Sequence, residues 1–264
     1  MTPDRSLAWP VWAAVLCSTL LAGCAGLRGG DRDAADAAEA PARPAPQTLQ
    51  AFGDTWTVQR LPTKTPTRYR LQTHAGRDAI AATAESSASL LRRTVNIAPD
   101  QLGSLHLSWM VEQLMGDADM AERDRDDSPV RVVLAFEGDR SRFSARDAAA
   151  SELSQLLTGE PLPYATLMYV WCNRRPAGTV IENPRTSRIR KIVLESGADG
   201  LGRWRDYERD VRADYQRAFG EPPGALVGIA LMTDTDNTRS RTRAWYGPVR
   251  WVQAPGIQGA AAGR

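Results

Sequence analysis

Apolar and polar residues alternate over much of the chain between residues 51 and 253, and a two-residue period of this kind is typical of β-strands. Two clear series, each with an apolar residue at every second position, run over residues 105–111 and 130–136. Residues 226–232 are apolar on both faces, which is typical of a central strand covered on both sides. Further strands are predicted at residues 55–59, 67–73, 78–84, 90–97, 166–172 and 189–195. Near the C-terminus, one strand face is expected to carry Arg243, Trp245, Val249 and Trp251.

Two segments follow the period of an α-helix. The first begins at Ser144, which forms a capping box with Asp147, and ends at Gly159. Its apolar stripe consists of Ala149, Leu153, Leu156 and Leu157. The second helix is predicted over residues 207–219 and is ended by a glycine and two prolines. Its apolar face consists of Val211, Tyr215, Ala218 and Phe219. Both stripes are expected to pack against the strands, because either one would otherwise leave a sizeable apolar patch in water.

Many strands and few helices in a domain of about 200 residues favour one mainly-β domain, a β-sandwich with two short helices. We place this domain at residues 51–253. The closing segment, residues 254–264, is rich in glycine and alanine and is expected to be a disordered tail.

The N-terminal segment predicts export and lipid attachment. An apolar run of about fifteen residues, 7–21, suits a signal peptide but is shorter than the roughly twenty residues of a permanent membrane span. It ends in Leu21, Ala22, Gly23 and Cys24, an order that looks like the lipobox of bacterial lipoproteins. We therefore predict a signal peptide over residues 1–23 and a diacylglycerol on the Cys24 thiol.

Residues 24–50 are rich in alanine and proline, hold few large apolar side chains and are predicted to be a flexible tether. The expected location is the cell envelope, with the membrane bound through the lipid on Cys24. Because Ala25 stands where an aspartate causes inner-membrane retention in some Gram-negative bacteria, we expect the outer membrane. A net charge of +2 provides no electrostatic basis for nucleic-acid binding.

Several separated motifs resemble those of the bacterial domain-of-unknown-function family 3047. They are KTPTRY at residues 64–69, YVWCNR at 169–174, DVRADY at 210–215, MTDTDNT at 232–238 and WYG at 245–247. The sequence departs from the family pattern at Cys172, where a glycine is expected after the tryptophan. The resemblance implies a secreted, jelly-roll-like β-sandwich similar to carbohydrate-binding, galactose-binding-like domains. It implies no established activity.

An acidic cluster follows the apolar strand at residues 226–232. Asp234, Asp236 and Asn237 supply hard oxygen ligands of the kind that Ca²⁺ prefers, and the two carboxylates share one side of an extended chain. We therefore treat Asp234 and Asp236 as candidate calcium ligands, with calcium the one cofactor the sequence suggests. The alternative is a turn in which these side chains bind their own backbone or nearby arginines. A second acidic group, residues 124–127, is expected to be solvated.

Aromatic and polar residues alternate in the strand at residues 166–172 and just beyond it. Tyr169, Trp171 and Asn173 would share a face, with Arg174 at its end. Trp171, Asn173 and Arg174 are therefore candidate glycan contacts, because rings stack on sugars while amides and guanidinium groups bind hydroxyls. The alternative is that these rings pack in the sandwich core. Five arginines near the following loop could contact an anionic glycan or form a solvated basic face: Arg174, Arg175, Arg185, Arg188 and Arg190.

Catalytic motifs are scarce. The chain has only two histidines, which excludes a histidine-rich metal centre, and it contains no Gly-x-Ser-x-Gly motif or dinucleotide fingerprint. Cys172 lies in an apolar run and is expected to be a buried thiol.

These observations favour a non-enzymatic, lipid-anchored binding module of the cell envelope with a glycan or polysaccharide as its ligand. One alternative is a carboxylate-dependent glycan hydrolase or lyase, with Asp234, Asp236, Glu137 and Glu195 as available carboxylates. The other is a structural partner of an envelope assembly, which a broad apolar surface patch would support.

Overall fold

A computed structural model describes residues 46–252 of the chain. The predicted signal peptide, the lipid site at Cys24, most of the predicted tether and the C-terminal tail lie outside these residues. Among the helices between residues 46 and 252, none is long and apolar enough to cross a bilayer.

The described residues fold into two β-sheets that pack face to face, so the predicted mainly-β, jelly-roll-like sandwich is confirmed. In spatial order, the large sheet contains β1 (Thr48–Ala51), β2 (Asp54–Arg60), β5 (Ser89–Ile97), β12 (Leu226–Asp234), β7 (Ser128–Phe136), β8 (Ala165–Cys172), β10 (Ile189–Ser196) and β9 (Val180–Glu182). The small sheet contains β11 (Arg205–Asp210), β6 (Ser104–Val111), β13 (Arg241–Tyr246), β4 (Arg77–Glu85) and β3 (Arg68–His74), with β14 (Arg250–Val252) also paired to β6. Two α-helices are present in the described part of the chain, α1 (Ala145–Thr158) and α2 (Val211–Phe219).

Strand parity decides which side chains enter the core between the sheets. In β7, Val130, Val132 and Leu134 face the core, whereas Arg131 and Val133 point to the outer face of the large sheet. The predicted central strand is confirmed, because β12 lies between β5 and β7 and is buried on both faces. Residues 112–127 connect β6 to β7 and help to cover the outer face of the large sheet, where Met120 joins its apolar cluster.

The first helix does not pack as predicted. The capping box is present, since the Ser144 hydroxyl accepts a hydrogen bond from the Asp147 amide. However, Leu153, Leu156 and Leu157 are 55%, 83% and 57% exposed. The buried side of α1 is polar: Asp147 accepts hydrogen bonds from the hydroxyls of residues 186 and 187. The docking prediction is therefore wrong for α1.

The second helix packs as predicted but is shorter. Val211 and Tyr215 are fully buried in the core, and the Tyr215 ring contacts Phe136 and Phe219. The predicted first residues of this helix, 207–210, belong instead to β11, and Asp210 caps the helix.

Two further boundaries differ from the predictions. The strand β1 begins at Thr48, so the folded domain starts before residue 51. The predicted C-terminal strand face is interrupted, because β13 ends at Tyr246 and β14 starts at Arg250. Gly247 lies between them, against the Ser108 hydroxyl, where a Cβ atom would clash. As a result Trp245 lies on the outer face of the small sheet, whereas Val249 lies in the core.

Candidate functional site

The predicted aromatic face of β8 belongs to the core. Tyr169 and Trp171 are fully buried, and the Trp171 indole N–H donates to the Gly197 carbonyl at 2.9 Å. The Asn173 amide donates to the carbonyls of Met115 and Ala118, so it holds the segment that connects β6 and β7. Trp171 and Asn173 are therefore structural and not open to a ligand, whereas Arg174 is exposed.

Four of the five arginines suggested for an anionic glycan already have partners in the protein. Arg175 pairs with Asp119, and Arg188 pairs with Glu221 at 2.7 Å. Arg190 pairs with Glu182, and the Arg185 guanidinium donates to the Arg123 carbonyl. The predicted basic loop is thus largely neutralised by the protein itself.

The two acidic groups that the sequence separates form one cluster. Carboxylate oxygens of Asp127, Asp234 and Asp236 lie within 4.8 Å of one another. The pairing of Asp234 with Ser128 in the β12–β7 ladder brings them together. The prediction that residues 124–127 form a solvated group is wrong for Asp126 and Asp127, which are 6% and 1% exposed.

Cations of the protein already surround this cluster. Arg131 donates to both carboxylate oxygens of Asp234, and Lys191 donates to both oxygens of Asp126 at 2.7 Å. Lys64 pairs with Asp236. The structural partners of Asp234 and Asp236 are thus Arg131 and Lys64, not the nearby arginines 239, 241 and 243.

The acidic cluster also orders the loop after β12. Asp127 accepts hydrogen bonds from the amide and hydroxyl of Thr238 at 2.7 and 2.6 Å, and the Asn237 side chain donates to the Asp126 carbonyl. Asn237 therefore has a structural role in closing this loop.

Burial raises the pKa of the Asp234 carboxyl to about 7; Arg131 opposes this shift, and the charges of Asp127 and Asp126 add to it. The same burial lowers the pKa of the Lys191 ammonium to about 8, with repulsion from Arg131 in the same direction. Four carboxylates face three cations here, so repulsion among the carboxylates adds to the effect of burial on the Asp234 pKa. The calcium prediction for Asp234 and Asp236 stays a prediction, and Ca²⁺ would have to displace Lys64 or Arg131 from its carboxylate.

Of the four carboxylates the sequence suggests for a hydrolase, only those of Asp234 and Asp236 lie close together. Asp234 pairs with Ser128 at one end of β7, whereas Glu137 follows Phe136 at the other end. At about 3.3 Å per residue, these ends are more than 20 Å apart. Glu195 lies on β10, three strands from the β12 strand of Asp234, and accepts hydrogen bonds from Arg205 and Tyr207.

The outer face of the small sheet carries an aromatic patch formed by Trp204, Trp245 and His74. Trp245 packs on Ala79 and Ala81, with Trp204 and Met110 beside it. The His74 ring stacks on the Trp245 ring, with centroids 3.7 Å apart and planes 3° from parallel. Since Trp245 is only 5% exposed, it supports the patch, while His74 and Trp204 are partly exposed and form its surface.

Charged and polar side chains border this patch. The guanidinium of Arg77 lies 5.2 Å from the Trp204 ring centre, and that of Arg243 lies 5.7 Å from the Trp245 ring centre. Beyond Arg243 is an open pocket of about 360 Å³. Its lining includes Thr83, Glu85, Glu112, Gln113, Arg241 and Arg243. Arg243 lowers the pKa of the Glu112 carboxyl, which suits Glu112 to accept hydrogen bonds and not to donate a proton.

Within the patch, the indole N–H groups of Trp204 and Trp245 are buried without a hydrogen-bond acceptor among the described residues. The sequence shows Trp204 and Trp245 as aromatic residues near polar positions, but it does not predict that they form a patch with His74. The sequence shows the alternation along the strand that contains Trp245. It does not show which strands pair with that strand or on which face of the sheet Trp245 lies.

The family resemblance is confirmed: a family model with the description "Protein of unknown function (DUF3047)" matches residues 54–250. No curated protein matches the sequence significantly.

Several solved glycoside hydrolases are distantly similar in structure. The xyloglucanase domain of NopAA from Sinorhizobium fredii, in complex with cellobiose, has 9% identity and a TM-score of 0.43, covering 79% of this chain and 98% of that one. A cellulase derived from Cel12A of Rhodothermus marinus has 9% identity and a TM-score of 0.44, covering 80% and 96%. A family 11 xylanase from Neocallimastix patriciarum has 10% identity and a TM-score of 0.39, covering 79% and 95%. This similarity is too distant to assign a role to any residue of this chain.

Proposed function

We propose that this chain, which belongs to the DUF3047 family of proteins of unknown function, is a lipid-anchored binding module that holds a glycan on the outer face of its small sheet. The observation that carries the proposal is the aromatic patch of Trp204, Trp245 and His74. Aromatic rings on a rigid sheet offer a flat apolar surface to the carbon face of a sugar ring.

The border of the patch supports the same function. Sugar hydroxyls both donate and accept hydrogen bonds, and the adjoining pocket offers both kinds of partner from Thr83, Glu112 and Arg241. His74 and Trp245 lie on strands of one sheet, and Trp204 directly precedes β11 of the same sheet, so the sheet helps to keep these side chains in fixed relative positions.

Lipid attachment through Cys24 and an outer-membrane location belong to this proposal and rest on the N-terminal sequence alone. A lipid on Cys24 followed by a tether of about twenty residues would hold the folded domain near the membrane surface while it stays free to reorient. Such an arrangement suits a module that captures a polymer of the envelope or its surroundings.

A second candidate function is protein docking, which the exposed leucines of α1 favour. Leu153, Leu156 and Leu157 lie on a helix whose buried side is polar. Exposed apolar side chains that cluster on one element are typical of interaction surfaces. The hydrolase alternative has less support, because Glu85 and Glu112 share a pocket but Arg243 binds both carboxylate oxygens of Glu112.

A glycan-array screen of the compact unit that begins at Ala45 tests the proposal. We expect selective binding to one class of glycan, loss of that binding in Trp204→Ala, and unchanged binding in Leu156→Ala. The control residue is an apolar side chain on α1 that is 83% exposed. A folded protein that binds no glycan on the array would contradict the proposal.

A further inference from the structure

A groove of about 600 Å³ lies where the edge of the large sheet meets the edge of the small sheet. Strands β1 and β2 form one wall and β3 forms the other. The polar side chains along it are Gln47, Thr48, Arg60, Thr67, Arg68 and Arg70. Among residues 46–252, no carboxylate lines this groove, and the formal charges on its lining are those of the three arginines.

These three arginines have no ion-pair partner and no side-chain hydrogen bond within residues 46–252. Most other arginines bordering the sheets are paired, as Arg243 is with Glu112. Arg68 and Arg70 are two residues apart on β3, so they project from the same face about 7 Å apart. Three like charges that share one groove repel each other, and an anion bound among them would relieve that repulsion.

The strand that carries Arg68 and Arg70 is anchored to the large sheet. Between them, Tyr69 turns inward, and its hydroxyl donates to the Ser89 carbonyl at 2.8 Å, which ties β3 to the large sheet. β3 is also an edge strand, with backbone N–H and C=O groups that pair with no further strand of its sheet. An extended polymer in the groove would therefore find both charged side chains and backbone partners.

The groove is continuous with the surface proposed to bind the glycan. Thr83 lines both the groove and the pocket beside the aromatic patch. Across the sheet, Arg68 pairs with Thr83, and Thr83 pairs with Arg243. One polymer can thus contact the groove and the aromatic patch together.

From this geometry we propose that the groove is the anionic subsite of the glycan surface, and that the ligand is a glycan carrying oxyanion groups, either carboxylates or phosphates. This inference rests on the proposed function and specifies its ligand class. A planar guanidinium binds either oxyanion with two parallel hydrogen bonds. Because the net charge of the chain is only +2, the attraction is local to the groove and does not extend over the whole protein.

The test measures binding of the purified full-length protein, in detergent micelles, to polygalacturonate, to a phosphorylated mannan and to neutral dextran. The groove variant is Arg68→Gln with Arg70→Gln. The matched control is Arg123→Gln with Arg239→Gln, which removes the same charge from exposed arginines that have no acidic partner among the described residues. Unchanged melting temperatures show that both variants fold.

We expect wild type to prefer one of the two anionic glycans over dextran, and the groove variant to lose about tenfold or more of that affinity. The control variant should change the affinity for that glycan by less than about twofold. Added salt should weaken wild-type binding more than binding by the groove variant.

Equal losses in the groove and control variants would overturn the inference, as would wild-type binding to duplex DNA or anionic lipid vesicles that is as tight as binding to the anionic glycans. Glycan binding that depends on Trp204 but not on Arg68 and Arg70 would contradict this inference but would still support the proposed function. Binding of the anionic glycans that is unaffected by Trp204→Ala would instead remove the aromatic patch from the proposed function.

Discussion

The Arg131 guanidinium holds both carboxylate oxygens of Asp234, with Nε and Nη2 at 3.0 and 2.9 Å from them. The two residues lie on the neighbouring strands β7 and β12, and both are at least 96% buried. The same Nη2 donates to the Asp126 carbonyl at 2.8 Å. Through Arg131, the acidic loop before β7 is fixed to the end of the large sheet.

We predict a specific pH dependence for Asp234→Asn. The folded-state pKa of Asp234 is about 7, against an ordinary 3.8, so the folded protein holds a proton that the unfolded chain releases. The contribution of Asp234 to stability is therefore fully present below about pH 4 and is lost as the pH rises through about 7.

The measurement is the free energy of unfolding by urea for both proteins from acid to neutral pH. We expect the wild-type value minus the variant value to fall between about pH 4 and 7 and then to level off. A difference that does not fall over this interval would show that Arg131 keeps Asp234 ionised throughout.

The two helices should respond differently to truncation. Tyr215 is fully buried against Phe136, so Tyr215→Ala should reduce the free energy of unfolding by about 3–5 kcal/mol. Phe219 is only partly buried, and Phe219→Ala should cost less. Leu156→Ala on α1 should change the free energy of unfolding by less than about 0.5 kcal/mol, because the side chain is 83% exposed. A large loss in Leu156→Ala would mean that α1 is covered in solution.

The features of the fold that could be predicted are those that neighbouring residues in the sequence encode. Strand alternation and helix caps are encoded by neighbouring residues, so the central strand β12 and the Ser144 cap were found. Parity alone could not show which face of β8 meets the core, because every residue of that strand is buried. This is why the sequence left both a glycan contact and a core position open for Trp171.

The candidate site was harder to predict because it depends on strand pairing. Asp127 and Asp234 meet only through the β12–β7 register, and the sequence carries no local signal for that register. The aromatic patch depends similarly on β13 lying between β4 and β6. The apolar stripe on α1 shows a second limit. An amphipathic pattern identifies the apolar face of a helix, but it does not show whether another element packs against that face.

Replacing Cys24 with serine should abolish lipid attachment, because the diacylglycerol needs the thiol as its acceptor. We expect uncleaved or mislocalised precursor in cells. Metabolic labelling with a fatty-acid analogue checks this directly, and equal labelling of Cys24→Ser and wild type would contradict the lipobox prediction.

Calcium binding at Asp234 and Asp236 can be tested by thermal unfolding. An ion that binds only the native state must raise its melting temperature by mass action. If Ca²⁺ replaces Lys64 beside Asp236, wild type should gain stability at millimolar Ca²⁺ and Asp236→Asn should not. A wild-type melting temperature that Ca²⁺ does not change would contradict calcium binding. Arg131 and Lys64 would then be the cationic partners assigned to these two carboxylates among the described residues.

The proposed function depends most on the binding of a glycan by the aromatic patch. Its most direct test is the affinity of wild type, Trp204→Ala and Leu156→Ala for the oligosaccharide that binds best on the array, measured by titration calorimetry. We predict that Trp204→Ala weakens binding by about tenfold or more, because the ring forms the contact surface, while a cooperative unfolding transition shows that the variant still folds. Leu156→Ala should match wild type. Equal affinities for all three proteins would show that the glycan binds elsewhere and would contradict the central claim.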